Sequence, residues 1–390
     1  MANKPIGIEV SLAVAEAVKL CDTDVVAAYP ITPQTHIVEH LSELVADGTL
    51  NAAYIPVESE HSAMSACIGS SAAGARTFTA TSSQGLALMN EMIYIAPTLR
   101  TPIVLLVANR ALSAPINIWN DHSDIMSVRD AGWIALFAEN GQEALDLTIM
   151  SFRIGEHPEV RLPVSLNIDG FTLSHFIEPI LIPEKAQVDA FLPPNQAEIK
   201  LDISKPLSIG LLGTPENFTE IKKATDDLLV NSKKHIVSVF GEFEKSFGRK
   251  YNLVETYRHE DAEIIILTMG SISETAMTAV DEMREAGQKV GLVRLRLWRP
   301  FPTEELRAAL AKAKAVAVID RHLVMGAPYG PVCLEIKSIL YDSPQPPKVF
   351  NFILGLGGRD VRRADFKTTV ERVKSAKDSQ SSFEILGVLE

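Results

Sequence analysis

Cysteine is scarce in this chain: three in 390 residues, at Cys21, Cys67 and Cys333. They lie far apart, none belongs to a CxxC pair, and an odd number makes a poor disulfide framework. A four-thiolate iron–sulfur cluster or a zinc ribbon therefore cannot be held by this polypeptide alone. If electrons move in this system, they move through another chain. Positive charge is also in deficit. Lys and Arg number 37 against 49 Asp and Glu, for a net charge of −12. No basic face offsets it, which argues against non-specific binding of nucleic acid. Long apolar runs are missing too: candidates such as Pro102–Ala108 have the length of a buried strand, so no membrane span is expected. The opening MANKPIGIEV lacks the charged and apolar regions of a secretory signal, and a cytoplasmic location is expected. GxGxxG, the Walker lysine and the GxSxG elbow are absent, which removes support for those dinucleotide, phosphate-loop and hydrolase chemistries.

What is present is an ordinary globular composition, 46% apolar and 22% charged, with enough chain for two or three domains. Short apolar runs at Val25–Tyr29, Ala53–Val57, Arg76–Thr81, Pro102–Ala108 and Val164–Asp169 read as strands. They alternate with helical segments at 8–21, 33–46, 59–74 and 141–156. That alternation predicts an α/β fold with a doubly wound parallel sheet. Phe171–Pro194 reads as a proline-marked surface linker and Asn217–Phe247 as an exposed connector helix. From Ala262 a second α/β unit begins, with strands at AEIIILTMGS, KVGLVRLRLWRPFP, AVAVIDR and Val349–Leu356 and a last helix at 365–377. The expected division is residues 1–240, with an irregular region at 171–260, and residues 261–390.

Two stretches organise the candidate site: AAYPITPQ at Ala27–Gln34 and ESEHSAMSACIGSSAAGA at Glu58–Ala75. Pro30 and Pro33 bracket Ile31 and Thr32. A residue before proline is pushed out of the helical region, so Thr32 is expected to be extended. Its hydroxyl would then project from a strand's C-terminal end, where open α/β sheets bind ligands. Glu58 and Glu60 stand at the mouth of a helix of small residues, whose flat face lets a backbone or a flat ligand approach. The bland reading of Glu60 is a first-turn acid that suits the helix dipole; Glu58 competes for any chemical role, and His61 reads as a neighbour and not a ligand. Arg110 ends an apolar strand, well placed to grip a planar carboxylate. The alternative is a salt bridge to Asp121 or Asp124, and the sequence leaves both open. Asn120, Asp121, His122 and Asp124 match no metal spacing and read as loop ordering. Ser82-Ser83-Gln84-Gly85 could cradle an anion at a helix start.

AAYPITPQT, IPVESEHSAMSACIGSSAAGARTFTATSSQGL, ANRALSAPINIWNDHSD and NIDGFTLSH together resemble the alpha subunit of the pyruvate:ferredoxin oxidoreductase and 2-oxoacid:acceptor oxidoreductase family, over nearly the whole chain. GSISETAMTAVDEMREAGQKVGLVRLRLWRPFP resembles that family's transketolase C-terminal-like domain. The resemblance implies a thiamine diphosphate pyrimidine-binding domain and oxidative decarboxylation of a 2-oxoacid, pyruvate by default, to an acyl-CoA. It implies a cofactor shared with a beta subunit, with magnesium and iron–sulfur clusters in beta-, gamma- and delta-type partners, CoA as co-substrate, and ferredoxin or a nicotinamide-linked acceptor. No GDG motif with a downstream asparagine is found, in agreement with that division and against a self-sufficient transketolase-like homodimer. By the same resemblance, Glu60 is the cofactor-activating glutamate that hydrogen-bonds the pyrimidine. Arg110 holds the substrate carboxylate and Thr32 bonds the substrate beside it. Phenylglyoxylate, 2-oxoglutarate, oxalate and branched-chain 2-oxoacids are alternative substrates, and Pro97-Thr98 departs from the pattern expected of pyruvate enzymes. A non-catalytic assembly subunit is the rival of another class; the joint presence of Thr32, Glu60 and Arg110 argues against it.

Overall fold

The computed structural model describes residues 4–197, 199–210, 212–376, 378 and 382–389. In chain order the first half runs β1 (Ile6–Glu9), α1 (Val10–Leu20), β2 (Val25–Ala28), α2 (Thr35–Ala46), β3 (Ala53–Pro56), α3 (Glu60–Ala72), β4 (Thr77–Thr81), α4 (Ser83–Leu88), α5 (Asn90–Thr98), β5 (Ile103–Asn109), α6 (Ser123–Ser127), β6 (Ile134–Phe137), α7 (Gly141–Gly155) and β7 (Val164–Asp169). There follow β8 (Ile177–Ile180), α8 (Lys185–Phe191) and the long α9 (Phe218–Phe247). The last part runs β9 (Val254–Tyr257), β10 (Ile264–Thr268), α10 (Ile272–Glu285), β11 (Val290–Leu295), β12 (Leu297–Arg299), α11 (Thr303–Leu310), β13 (Ala315–Asp320), α12 (Pro331–Leu340), β14 (Lys348–Ile353), α13 (Arg363–Ser375) and β15 (Glu384–Ile385). Residue 377, the expected end of the last helix, lies outside the described residues. No described helix is long and apolar enough to cross a membrane.

The strands form a seven-stranded sheet, β12-β6-β7-β5-β4-β2-β3, and a six-stranded sheet, β15-β14-β13-β10-β11-β9. Each is parallel except for one edge strand, β12 and β9 respectively. Continuous burial of β2, β4, β5, β6 and β7 is what a parallel sheet covered on both faces requires. Side chains alternate between faces along each strand. In β5, Val104, Leu106 and Ala108 face one core, while Ile103, Leu105 and Val107 face the other. The second core is shared: it also receives Ile265 and Leu267 of β10, Val293 of β11 and Val318 of β13. Ile264 and Ile266 face a third core on the far side.

Several sequence expectations are corrected. The segment 8–21 starts as strand, because β1 pairs with β8 in a separate antiparallel ribbon. Phe171–Pro194 is accordingly no plain linker, since it holds β8 and α8. The helix at 217–247 is not an exposed connector: Leu229, Ile236, Val239, Phe240 and Phe243 are buried in the first core. The run LVRLRLWR splits at Arg296. Leu295 ends a strand of the smaller sheet and Leu297 starts one of the larger. The buried Arg296 guanidinium bridges Glu143 (2.5 Å) on α7 and Glu255 (2.6 Å) on β9, fixing the crossover. The loop that carries Asn120–Asp124 is interrupted by the short helix α6.

Candidate active site

In the seven-stranded sheet, β7, β5, β4 and β2 are consecutive neighbours. Their C-terminal ends therefore bring Asp169, Arg110, Ser82 and the turn at Ile31–Gln34 to one edge of the sheet, the usual ligand edge of an open α/β sheet.

Glu60 is the first residue of α3, after the N-cap Ser59, whose hydroxyl accepts the Ser62 N–H (3.3 Å). It is only 6% exposed. No described hydrogen bond or ion pair engages its carboxylate, and the Thr81 hydroxyl and Gln84 Nε2 are buried without a partner. Gly85 on α4 makes room for it: a Cβ there would stand 2.6 Å from Glu60 Oε1. Burial separates the two candidate acids. Glu58 is exposed, and the Ser62 hydroxyl donated to it holds its carboxyl below the usual range. His61 lies 3.6 Å from the exposed Glu91 carboxylate.

Arg110 directly follows β5 and is 5% exposed. Its Nε donates to the Asn117 carbonyl (2.7 Å) and its Nη1 to the Thr32 carbonyl (2.9 Å). The guanidinium forms no ion pair with Asp121 or Asp124. Instead Asp124 accepts the main-chain N–H of Arg110 (2.9 Å). Burial lowers the pKa of Arg110, with Asp124 opposing. A buried cation whose plane is fixed by two carbonyls, and which no described carboxylate pairs, has the chemistry to receive an anion.

Thr32 lies exposed in a turn closed by the Gln34 N–H on the Ile31 carbonyl (2.9 Å), with the Thr32–Pro33 peptide bond cis. The turn is held further by Gln34 Nε2 on the Tyr29 carbonyl (2.8 Å). Thr32 and Arg110 are thus joined directly, through the Thr32 carbonyl. Glu60 touches neither by any described hydrogen bond.

The loop acids and the serine turn order each other. Asp124 also accepts from Ser83 N–H (3.0 Å), Asn109 Nδ2 (3.0 Å) and Ile125 N–H (2.7 Å). The Ser83 amide, a donor of the expected anion cradle, is therefore already occupied by Asp124. Ser82 caps nothing with its hydroxyl, which donates to the Ala108 carbonyl (2.7 Å). Asp121 accepts from Ser123, and Asn120 Nδ2 (3.0 Å) and His122 Nε2 (2.9 Å) both bond Asp169. These partners support loop ordering over a metal set. Asp169, Arg321 and Ser271 went unnoticed in the sequence. Buried Asp169 also pairs with Arg321 Nη1 (2.7 Å) and accepts the Ser271 N–H (2.9 Å), and Arg321, with His122, holds its carboxyl well below the usual range. The available signal was polarity at the ends of otherwise apolar strands: Asn109, Asn167 and Asp169. Pro97 is buried in the last turn of α5, facing Gly132, which places it at a helix end.

Two family models match this chain: pyruvate flavodoxin/ferredoxin oxidoreductase, thiamine diphosphate-binding, over residues 16–241, and pyruvate:ferredoxin oxidoreductase core domain II, over residues 262–366. The chain is 48% identical to the pyruvate synthase subunit PorA of Methanothermobacter thermautotrophicus, covering 95% of this chain and 96% of that one. It is 43% identical to the ketoisovalerate oxidoreductase subunit VorA of Pyrococcus horikoshii, covering 91% and 90%. Among solved structures it resembles the 2-oxoglutarate:ferredoxin oxidoreductase of Magnetococcus marinus, with 2-oxoglutarate, coenzyme A and succinyl-CoA bound, at a TM-score of 0.71 and 21% identity. That match covers 95% of this chain and 65% of the longer one, and is a likeness of fold. An inactive split-gene transketolase tetramer matches at a TM-score of 0.55 and 12% identity.

Proposed function

The chain belongs to the pyruvate flavodoxin/ferredoxin oxidoreductase family, and on that premise we propose that it is the alpha-type subunit of a multi-subunit 2-oxoacid:acceptor oxidoreductase. Its reaction would be oxidative decarboxylation of pyruvate to an acyl-CoA and CO2. The observation that carries this reading is the buried carboxylate of Glu60, which no described hydrogen bond or ion pair engages, set against Gly85 at the sheet's ligand edge. Such a group fits the pyrimidine of thiamine diphosphate, which needs one acceptor carboxylate and a close, small-residue wall. The buried face of α3 carries Ala63, Cys67 and Ser71 beside the larger Met64 and Ile68. When bound, the cofactor supplies the electron sink that decarboxylation of a 2-oxoacid requires.

The other residues do work that can be stated on their own. Glu60 holds or gives up a proton at its carboxylate, tuning the base strength of the group it bonds. Arg110, its plane fixed by the carbonyls of Asn117 and Thr32, binds the substrate carboxylate with its remaining N–H donors. The Thr32 hydroxyl, exposed beside it, would bond the substrate's oxygens. Beta-, gamma- and delta-type partners would supply magnesium, the diphosphate contacts and the iron–sulfur clusters, with CoA as co-substrate and ferredoxin or a nicotinamide-linked carrier as acceptor. The three cysteines support this division: all are buried, and burial pushes the Cys67 thiol up to about 12. We assign the pyrimidine-binding unit to residues 1–240 and the C-terminal unit to 261–390. The 43% identity to a ketoisovalerate subunit favours one second reading, the same chemistry on a branched-chain 2-oxoacid.

The test is anaerobic purification of the native complex and thiamine-dependent dye reduction with a panel of 2-oxoacids. Preference for pyruvate with CoA is expected. Activity confined to 2-oxoisovalerate would keep the mechanism and change the pocket. A complex that holds the cofactor and clusters yet reduces nothing with any 2-oxoacid would sink the proposed reaction.

A further inference from the structure

Away from Glu60, three side chains from three separate segments converge: Glu9 at the end of β1, His36 in the first turn of α2, and His175 in the turn after β7. One ligand atom from each lies within 4.8 Å of the other two. Glu9 Oε1 and His36 Nδ1 are 2.7 Å apart, and the two imidazole rings lie with centroids 4.6 Å apart at 40°. We propose that Glu9, His36 and His175 form a binding site for one divalent transition-metal cation of the zinc class.

The donor set is the first argument. Two imidazoles and a carboxylate suit zinc and its neighbours, and a fourth position stays open for water or another ligand. Tetrahedral bonds of about 2.0–2.2 Å need ligand atoms about 3.3 Å apart, a small opening of the observed Glu9–His36 contact. The surroundings are the second argument. His175 Nδ1 lies 2.8 Å from the Ser174 hydroxyl. Ser174 is itself fixed, its hydroxyl accepting the Phe171 N–H (2.9 Å) and its carbonyl the Ser11 hydroxyl (2.7 Å). With the Nδ1 proton given to Ser174, the Nε2 lone pair is free, the arrangement that orients a histidine toward a metal.

The competing account is a Glu9–His36 ion pair, with His175 only holding Ser174 and packing on His36 and Phe171. A cation uses both neutral rings and the carboxylate together. It would tie β1, α2 and the turn after β7 into one body. His36 lies on the helix that follows the Thr32 turn. His175 also meets Phe171 (ring centroids 4.5 Å), which meets Trp119 (6.2 Å) in the loop that holds Arg110. The site would therefore brace the Thr32–Arg110 contact from behind.

The full chain, stripped with chelator, is titrated with zinc by calorimetry and with cobalt by visible absorption. The expected result is one ion per chain, a cobalt spectrum of low coordination number and a raised melting temperature. His36→Ala and His175→Ala should each lose more affinity than the roughly 10–100-fold that outer-shell changes cost. His235→Ala, at the other close histidine pair (ring centroids 4.2 Å from His157), should change nothing. His36→Gln and His175→Gln repeat the test if an alanine variant misfolds, with circular dichroism of the metal-free proteins as the check. Binding no stronger than in the His36/His175 double variant, or binding that His235→Ala abolishes, would overturn the proposal.

Discussion

Gly85 is the residue through which the site can be probed without touching its chemistry. Its missing Cβ is what lets the Glu60 carboxylate lie against α4. Gly85→Ala should push that carboxylate aside while the sheet stays folded. Turnover of the assembled complex should then fall toward that of Glu60→Gln, for which a loss of about 10²–10⁴-fold is the normal reach of an acid–base group. Unchanged kcat in both variants would remove Glu60 from the mechanism. Arg110→Ala should act differently. It would remove the proposed charged grip on the substrate, so KM should rise by about 10–100-fold, the equivalent of about 1.5–3 kcal/mol for a charged hydrogen bond. The Asn117 and Thr32 carbonyls would lose a donor as well, so Arg110→Lys is the companion variant: it keeps the charge and loses the planar fork. An unchanged KM in both would move the carboxylate clamp elsewhere.

At the scale of elements, the parallel strands were readable because burial on both faces writes itself as continuous apolar runs, as in IVLLVAN of β5. The helix at 218–247 was readable as a helix and misread as exposed. Its polar face is long and rich in Lys and Glu, and its apolar positions are spread thinly over 30 residues. Only the fold shows that Phe243 is fully buried, stacked on Phe247 (4.3 Å) and edge-on to Phe191 (5.4 Å). Phe243→Ala should therefore destabilise the chain by about 3–5 kcal/mol, measured by urea unfolding. A true surface connector would lose under about 1 kcal/mol. The split between β11 and β12 was illegible for another reason: an apolar run does not say which sheet each half joins. Of the proposed site, the sequence carried Glu60, Arg110 and Thr32 through their family pattern. It did not carry Asp169 and Arg321, whose pairing spans 152 positions of chain.

At the scale of the whole molecule, carboxyls buried around the two large sheets set opposing pH responses. Asp169 joins β7 and the 120–122 loop of one unit to Ser271 and Arg321 of the other. Its folded pKa is depressed, so its contribution is present above the ordinary carboxylate pKa of about 3.9 and is lost as pH falls toward the folded value. Asp169→Asn leaves Arg321 buried without its counter-charge and should cost about 3–5 kcal/mol. Three other acids work in the other direction. Burial raises Asp124 and Glu139 to about 7 and Asp320 to about 6. Each therefore binds its proton at a higher pH in the folded chain than in the unfolded one. Stability from these groups is full below about pH 4 and is lost as pH rises through about 6–7. Glu139 is the clearest case: burial raises it most, Arg294 beside it favours the carboxylate, Glu143 and Glu274 oppose, and its Oε1 has no hydrogen-bond partner among the described residues. The melting temperature of the full chain should therefore be highest near about pH 5 and lower by about pH 8. Glu139→Gln, which cannot ionise, should flatten that upper limb. A melting temperature that climbs steadily to about pH 8 in both proteins would mean that Arg294 outweighs burial and that Glu139 is ionised throughout.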